Sequence, residues 1–251
     1  MNVLLLRQEE EESDKYHLRF QDSLIGNVTS VPVLGFEYCN LDKIVDFVDT
    51  IDQYSGLIFT SRRAVTAFEK VVEPSDIEKI RQMADFTLYV VGRTTENCLK
   101  QLGLESVGSE TGNAKELSDL VIKQQENTEK PLMFLCGNLA RETIPKRLTE
   151  KEIPNESISC YKTIPDTQFE TNLKNYLIGF TPDVVTFYSP SGAEFHMSSL
   201  IKLISGLGES VKVACIGEYT AQAVRKLGIN VSAVAEKPNP DSLFEAIKSI
   251  S

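Results

Sequence analysis

The sequence predicts an α/β protein of two similar lobes, each a parallel sheet flanked by helices, joined by a two-stranded linker. Three observations predict it. First, VVGRTTENCLKQLGL (Val90 to Leu104) and CIGEYTAQAVRKLGI (Cys215 to Ile229) share one pattern: apolar strand, glycine, two variable residues, threonine, amphipathic helix, Leu-Gly and an apolar residue. Gly92 and Gly217 stand 125 positions apart (217 − 92), and Thr95/Thr220, Leu102/Leu227 and Gly103/Gly228 keep that offset. Second, GLIFTSRRAV (Gly56 to Val65) and DVVTFYSPSGA (Asp183 to Ala193) each set a serine, Ser61 or Ser189, just after an apolar strand. Third, short β-branched strands alternate with amphipathic helices, the signature of parallel α/β layers. Two similar pairs in the same order indicate a duplicated half, with chemistry expected in the cleft between the lobes.

Taken in order, strands are predicted at residues 3–6, 57–59, 88–91, 132–135, 184–187 and 212–216, each a short run of apolar and β-branched residues. Leu41, Ile44, Val48 and Ile51 fall at helical spacing and make one apolar stripe. A helix begins near Asn113, a good N-cap, with Leu117, Leu120 and Val121 inward; its counterpart begins near Pro240 with Leu243 and Ile247 inward. Leu-Gly at 102–103 and 227–228 reads as the glycine stop after a helix. The acid run Glu9 to Glu12 reads as a solvated loop or a helix first turn, where negative charge suits the dipole. The half that starts near Pro165 lacks a first strand, which residues 3–6 can supply. The lobes are therefore expected to be flavodoxin-like and interleaved in the chain: residues 1–33 with 166–251 as one, 40–157 as the other, and 34–39 and 158–165 as linker strands. Two linkers restrict twisting and permit opening and closing.

Composition excludes several function classes. At 251 residues and 41% hydrophobic residues the chain can bury an ordinary core. A net charge of −10 leaves no basic surplus for a nucleic-acid groove. The five cysteines show no Cys-x-x-Cys spacing and lie mostly in apolar runs, as free thiols do in a reducing compartment. The two histidines are not at metal-ligand spacing, so no metal site is expected. The first apolar run is too short for a signal peptide or a membrane span, and a cytoplasmic protein is expected.

No nucleophilic elbow, Walker loop or Gly-x-Gly-x-x-Gly turn is present. The candidate polar groups follow strands: Thr60, Ser61, Thr94, Thr95, Ser189, Ser191 and Thr220. Each alone reads as a helix N-cap; as a set mirrored in both halves they read as a ligand site at the carboxyl edges of the sheets. Arg7, Arg62, Arg63, Arg93 and Arg141 also follow strand ends, as solvated charges or as a positive rim that pairs with carboxylates. Tyr161, in CYKT, is either a packed aromatic or a proton donor that is neutral at pH 7. These features also suit a two-lobed protein that binds an anionic small molecule without chemistry.

Arg7 after MNVLLL, then PVLGFEY, LIFTSRRAV, YVVGRTT, TGNAKEL, CGNLARE, CYKT, TFYSPSG and AEKPNP, occur in register along the chain. Together they resemble the uroporphyrinogen-III synthase family, and within it the animal form. The resemblance implies a cofactor-free monomeric enzyme acting on hydroxymethylbilane, a linear tetrapyrrole with eight carboxylates, and closing it to uroporphyrinogen III with the last ring inverted through a spiro-pyrrolenine. By resemblance Tyr161 assists departure of the hydroxyl, while Ser61, Arg63, Thr95, Ser189, Ser191 and Thr220 match cleft positions that touch substrate. Two departures stand out: Ser61-Arg62-Arg63 replaces a Ser-Pro-Arg turn, and Gly217-Glu218-Tyr219-Thr220 replaces Gly-Pro-Thr-Thr, which brings an acid, Glu218, toward a polyanionic ligand.

Overall fold

The computed structural model describes residues 1–9, 14–21, 26–126, 128–208 and 210–250; most of the acid run, residues 10–12, therefore lies outside the described residues. The chain divides into two compact units, Met1–Gly35 with Ile164–Ser251, and Phe36–Thr163. It opens with β1 (Asn2–Leu6), α1 (Lys15–Gln21) and β2 (Asn27–Ser30), then passes into the second unit through β3 (Leu34–Tyr38). There follow α2 (Leu41–Asp49), β4 (Gly56–Phe59), α3 (Arg62–Glu69), α4 (Pro74–Gln82), β5 (Thr87–Val90) and α5 (Arg93–Gln101). That unit ends with α6 (Ala114–Gln125), β6 (Leu132–Gly137), α7 (Thr143–Thr149) and β7 (Asn155–Pro165). The return to the first unit adds α8 (Phe169–Gly179), β8 (Val184–Phe187), α9 (Pro190–Phe195) and α10 (Met197–Leu207). Last come β9 (Lys212–Cys215), α11 (Glu218–Lys226), β10 (Ala233–Val234) and α12 (Pro240–Lys248).

In the second unit the strand order is β3-β7-β6-β4-β5, with β7, β6, β4 and β5 mutually parallel. Alternate residues face opposite layers, as the period of a strand requires. Leu57 and Phe59 join Ile44, Phe68 and Leu99 on one face, whereas Ile58 joins Leu117, Val121 and Leu148 on the other. A single bridge, Tyr89 to Val107, extends the sheet past β5. The first unit has the order β10-β9-β8-β1-β2, all parallel. Val3–Leu6 lie in register with Val184–Phe187, and the two faces are again apolar: Leu4, Phe187 and Leu200 on one, Val3, Leu5 and Ile247 on the other.

The two units are circular permutations of one plan. In the second, β4, β5, the Val107 bridge, α6, β6, α7 and β7 run consecutively. In the first, the same succession is β8, β9, β10 and α12, completed by β1, α1 and β2 from the other end of the sequence.

The local signals explain the element boundaries. Asn113 caps α6, accepting from the amides of Lys115 and Glu116, and Asn239 caps α12 ahead of Pro240. Both repeated helices end alike. Leu102 and Leu227 are the C-caps, followed by Gly103 (φ 74°) and Gly228 (φ 79°). The Gly103 amide donates to Lys100 O and that of Leu104 to Leu99 O; Gly228 to Arg225 O and Ile229 to Val224 O repeat the pattern. These are paired Schellman closures, in which a left-handed residue satisfies the last carbonyls. The stripe from Leu41 is interrupted: α2 stops at Asp49, and Ile51 belongs to a separate 3₁₀ turn, Ile51–Gln53. Among the described residues no helix is long and apolar enough to cross a membrane.

Candidate functional site

The hydroxyls and cations predicted at strand ends do sit at the carboxyl edges of the parallel strands within each unit. In the second unit Ser61 terminates β4 and caps α3, its Oγ accepting from the Arg63 amide at 3.2 Å. That cap fixes the first turn of α3, so Arg63 is aimed by the same residue that starts the helix. The Arg63 guanidinium lies over the Phe36 ring, 3.3 Å from its centroid. Phe36 in turn meets Tyr161 edge to face, with centroids 6.3 Å apart and planes at 69°. Burial lowers the Arg63 pKa, with repulsion from Arg62 next, against attraction from Tyr161 and Tyr38. Burial also pushes the Tyr161 phenol up, while a side-chain hydrogen bond with Ser61 and the Arg63 charge oppose it. The result is a protonated phenol beside a cation: a donor that holds its proton at neutral pH next to a group that attracts carboxylates.

The loop after β6 completes the arrangement. The Asn138 amide donates to Tyr161 O at 3.0 Å, and the Thr163 amide donates to Asn138 Oδ1 at 2.9 Å. Backbone on both sides of Tyr161 is thereby pinned to the Gly137-Asn138 turn. Thr60 is half-buried directly before Ser61, whereas Arg62 and Thr94 are exposed. Thr95, in the first turn of α5, is 4% exposed and faces the interior of its own unit. Arg93 is exposed and pairs with Glu110 at 3.1 Å.

In the first unit Ser189 terminates β8 and caps α9, accepting from the Gly192 amide at 3.0 Å, with Ser191 Oγ 3.5 Å away. Both serines are half-buried. Thr220, the counterpart of Thr95, is likewise 4% exposed. Arg7 follows β1 and forms an ion pair with Asp14, whose side chain is 1% exposed. Its guanidinium also lies 4.7 Å from the Tyr16 ring and 5.4 Å from the Tyr188 ring. Asp14 doubles as the start of α1, accepting from the amides of Tyr16 and His17. Arg7 is therefore built into its unit more firmly than a rim arginine. Glu218 pairs with Arg225 along α11 at 2.8 Å, so the acid that departs from the family turn has a local counter-charge.

The structure thus brings Ser61, Arg63 and Tyr161 into one cluster and keeps Ser189 with Ser191 in another. Sequence reasoning missed Phe36 and Asn138. Both lie in stretches already singled out, PVLGFEY and CGNLARE, but their roles depend on strand register. Among the described residues no group of three or more His, Cys, Asp or Glu could hold a metal ion.

Comparison with known proteins bears on the family and the fold. The family profile described as uroporphyrinogen-III synthase HemD matches residues 21–245. The uroporphyrinogen-III synthase of Schizosaccharomyces pombe is 27% identical over 98% of this chain and 95% of its own, and that of Saccharomyces cerevisiae 26% identical over 99% and 96%. The crystal structure of uroporphyrinogen-III synthetase from Helicobacter pylori superposes with a TM-score of 0.67 at 15% identity, covering 100% of this chain and 99% of that one. At that identity the likeness speaks for the fold.

Proposed function

The chain belongs to the uroporphyrinogen-III synthase family of tetrapyrrole-biosynthetic enzymes, and from that premise we propose that Tyr161 is its proton donor and that hydroxymethylbilane is its substrate. One observation carries the proposal: a half-buried, protonated phenol held beside Ser61 and the half-buried Arg63 at a sheet's carboxyl edge.

The substrate's terminal hydroxyl is a poor leaving group until it gains a proton. Tyr161 gives its proton to that oxygen as the carbon–oxygen bond breaks, and water leaves. The adjacent pyrrole nitrogen supplies the electron pair, which leaves an azafulvene. The substituted α-carbon of the fourth ring attacks it to form the spiro-pyrrolenine, which fragments and recombines with that ring inverted. A proton is released as the ring regains aromaticity, and the phenol is restored. No strong protein nucleophile is required, which suits a site of hydroxyls and cations. Arg63, with Ser61, holds side carboxylates and so favours the fold-back that leads to the spiro route, while Ser189 and Ser191 offer hydroxyls at the matching edge of their own unit. The buried Thr95 and Thr220 shape the turns that carry these groups.

The test supplies hydroxymethylbilane and resolves type I from type III porphyrin after oxidation. Type III formation is expected. Type I at the spontaneous rate, with substrate bound, would instead describe an anion-binding protein. The same reading has the enzyme act as a cytosolic monomer, which cell fractionation and light scattering test.

A further inference from the structure

The placement of Tyr161 depends on an irregularity in its own strand. β6 and β7 pair in parallel from Leu132↔Asn155 through Cys136↔Ser159, and then the register jumps to Gly137↔Tyr161. Cys160 is the extra residue of this bulge. Before it, alternation is regular: Ile158 packs on the face carrying α2, α3 and α5, while Ser157 and Ser159 line a groove with Cys136 and Lys146 on the α7 face. Cys160 returns to the first face, where it is fully buried. Strict alternation would then send Tyr161 to the α7 face with the two serines. It packs instead against the same face as Ile158 and Cys160, beside Phe36 and Arg63. A bulge makes two successive residues face one way, and here it turns the phenol from one side of the sheet to the other.

The re-aimed ring needs somewhere to lie, and Gly137 supplies it. A Cβ built on Gly137 would stand 2.5 Å from Tyr161 Cε2, 2.5 Å from Cζ and 2.8 Å from the hydroxyl oxygen. The hydroxyl end of the phenol therefore rests on the bare Cα of Gly137. With any other residue the ring must retreat by about 1 Å to reach ordinary carbon contact. The backbone leaves it little alternative, because Cys160 O accepts from the Cys39 amide and Tyr161 O accepts from the Asn138 amide.

We propose that Gly137 and the bulge at Cys160 are positioning elements for the reaction: the bulge selects the face on which the Tyr161 phenol lies, and the missing Cβ of Gly137 sets the depth of its hydroxyl beside Ser61 and Arg63. The catalytic part of this inference rests on Tyr161 being the proton donor; the seating of the ring does not. A misplacement of about 1 Å at a reacting group can cost about a hundredfold.

Gly137→Ala is expected to lower kcat by about ten- to a hundredfold, toward the value of Tyr161→Phe, while KM changes less than threefold. In the Tyr161→Phe background the same substitution should change kcat less than twofold, because the hydroxyl it misplaces is gone. An equal loss in both backgrounds would mean that Gly137 acts through the fold and would overturn the proposal. The seat is read independently by incorporating 3-fluorotyrosine. The ¹⁹F resonance that vanishes in Tyr161→Phe should be the one that shifts most in Gly137→Ala, and an unshifted resonance overturns the proposal. If Tyr161→Phe itself keeps full kcat, the proton-donor reading fails, and the ¹⁹F shift alone decides the seating. Should Gly137→Ala fail to fold, Gly137→Ala/Tyr161→Ala, which removes the clashing ring, must recover a cooperative thermal transition. Failure to recover it rejects the contact as the cause.

Discussion

Replacing Tyr161 by phenylalanine removes one oxygen and leaves the surroundings in place. The ring still meets Phe36 edge to face at 6.3 Å, so packing is retained. What is lost from the fold is the polar contact of the phenol with Ser61, worth no more than one ordinary hydrogen bond, about 0.5–1.5 kcal/mol net. For a chain of this size that lowers Tm by no more than roughly 1–6 °C. What is lost from catalysis is the proton donor, typically worth about a hundred- to ten-thousandfold. The substrate's own nitrogen push lowers the demand, so kcat should fall by about 30- to 100-fold, at the low end of general-acid effects. Product that still forms on the enzyme should be type III, because the isomer depends on how the chain is folded back. The pH profile adds a second reading. Burial raises the Tyr161 pKa above its usual value of 10.0 despite Ser61 and Arg63. The donor form then persists through neutral and mildly alkaline pH, and the wild-type kcat should decline only above about pH 10. The stability linkage has the same sign. A phenol whose pKa is raised on folding contributes stability that is fully present below the unfolded value and is lost as pH rises through the folded one. Single-turnover assays with saturating hydroxymethylbilane across pH 6–11 measure both effects. Full kcat in Tyr161→Phe, or an alkaline limb that survives the substitution unchanged, would refute the assignment.

Three further outcomes are expected. Arg63→Ala should raise KM by about ten- to a hundredfold, the worth of one charge-assisted contact, with the isomer ratio unchanged; Arg63→Lys should recover only part, because an ammonium lacks the flat face that covers Phe36, and unchanged KM in Arg63→Ala would make this a structural arginine. Asp14→Ala should destabilise by about 3–5 kcal/mol in denaturant titration, since it strips a cap from α1 and removes the buried carboxylate that pairs with Arg7. Gly228→Ala should cost about 1 kcal/mol for the left-handed conformation alone, whereas Gly103→Ala should cost about 1 kcal/mol more, because its Cβ meets the Arg81 guanidinium that bonds Gly103 O at 2.7 Å; equal losses would count against that difference.

Much of this was readable from residue order because it rests on local chemistry. Apolar runs gave the central strands, and Asn113, Pro240 and the two Leu-Gly stops act through the backbone within a few residues. α4 went unread although its signals are local, with Pro74 at its start and a Glu73–Asp76 capping box. β7 begins earlier than the expected linker at 158–165, because of its eleven residues only Ile158 and Cys160 are buried and its first residues lack an apolar run. Ser61, Arg63 and Tyr161 could be named because strand-to-helix turns and a tyrosine-bearing linker are visible in sequence. Their grouping with Phe36 could not be, since it requires the register of β7 and the extra residue within it. Arg7 shows the opposite limit. An arginine after a strand looks like a rim charge, and only the return of α1 over it reveals Asp14. The repeat suggested equal roles for Thr95 and Thr220, and the structure gives them equal burial.

The permuted plan of the first unit has a consequence for how the protein is made. A ribosome delivers β1, α1 and β2 ahead of the second unit, yet one of the two strands that β1 pairs with, β8, is distant: Asn2 bonds Asp183 across 181 positions. Every strand of the second unit is synthesised in the interval. That unit can close its sheet as soon as β7 emerges, while the opening segment, with the fully buried run Val3–Leu5, waits in solvent. The order of maturation thus departs from sequence order: residues 36–163 mature first and the segments on either side of them last. A chaperone guarding this protein would have its work at residues 2–6, covering the edge of an apolar strand until β8 arrives.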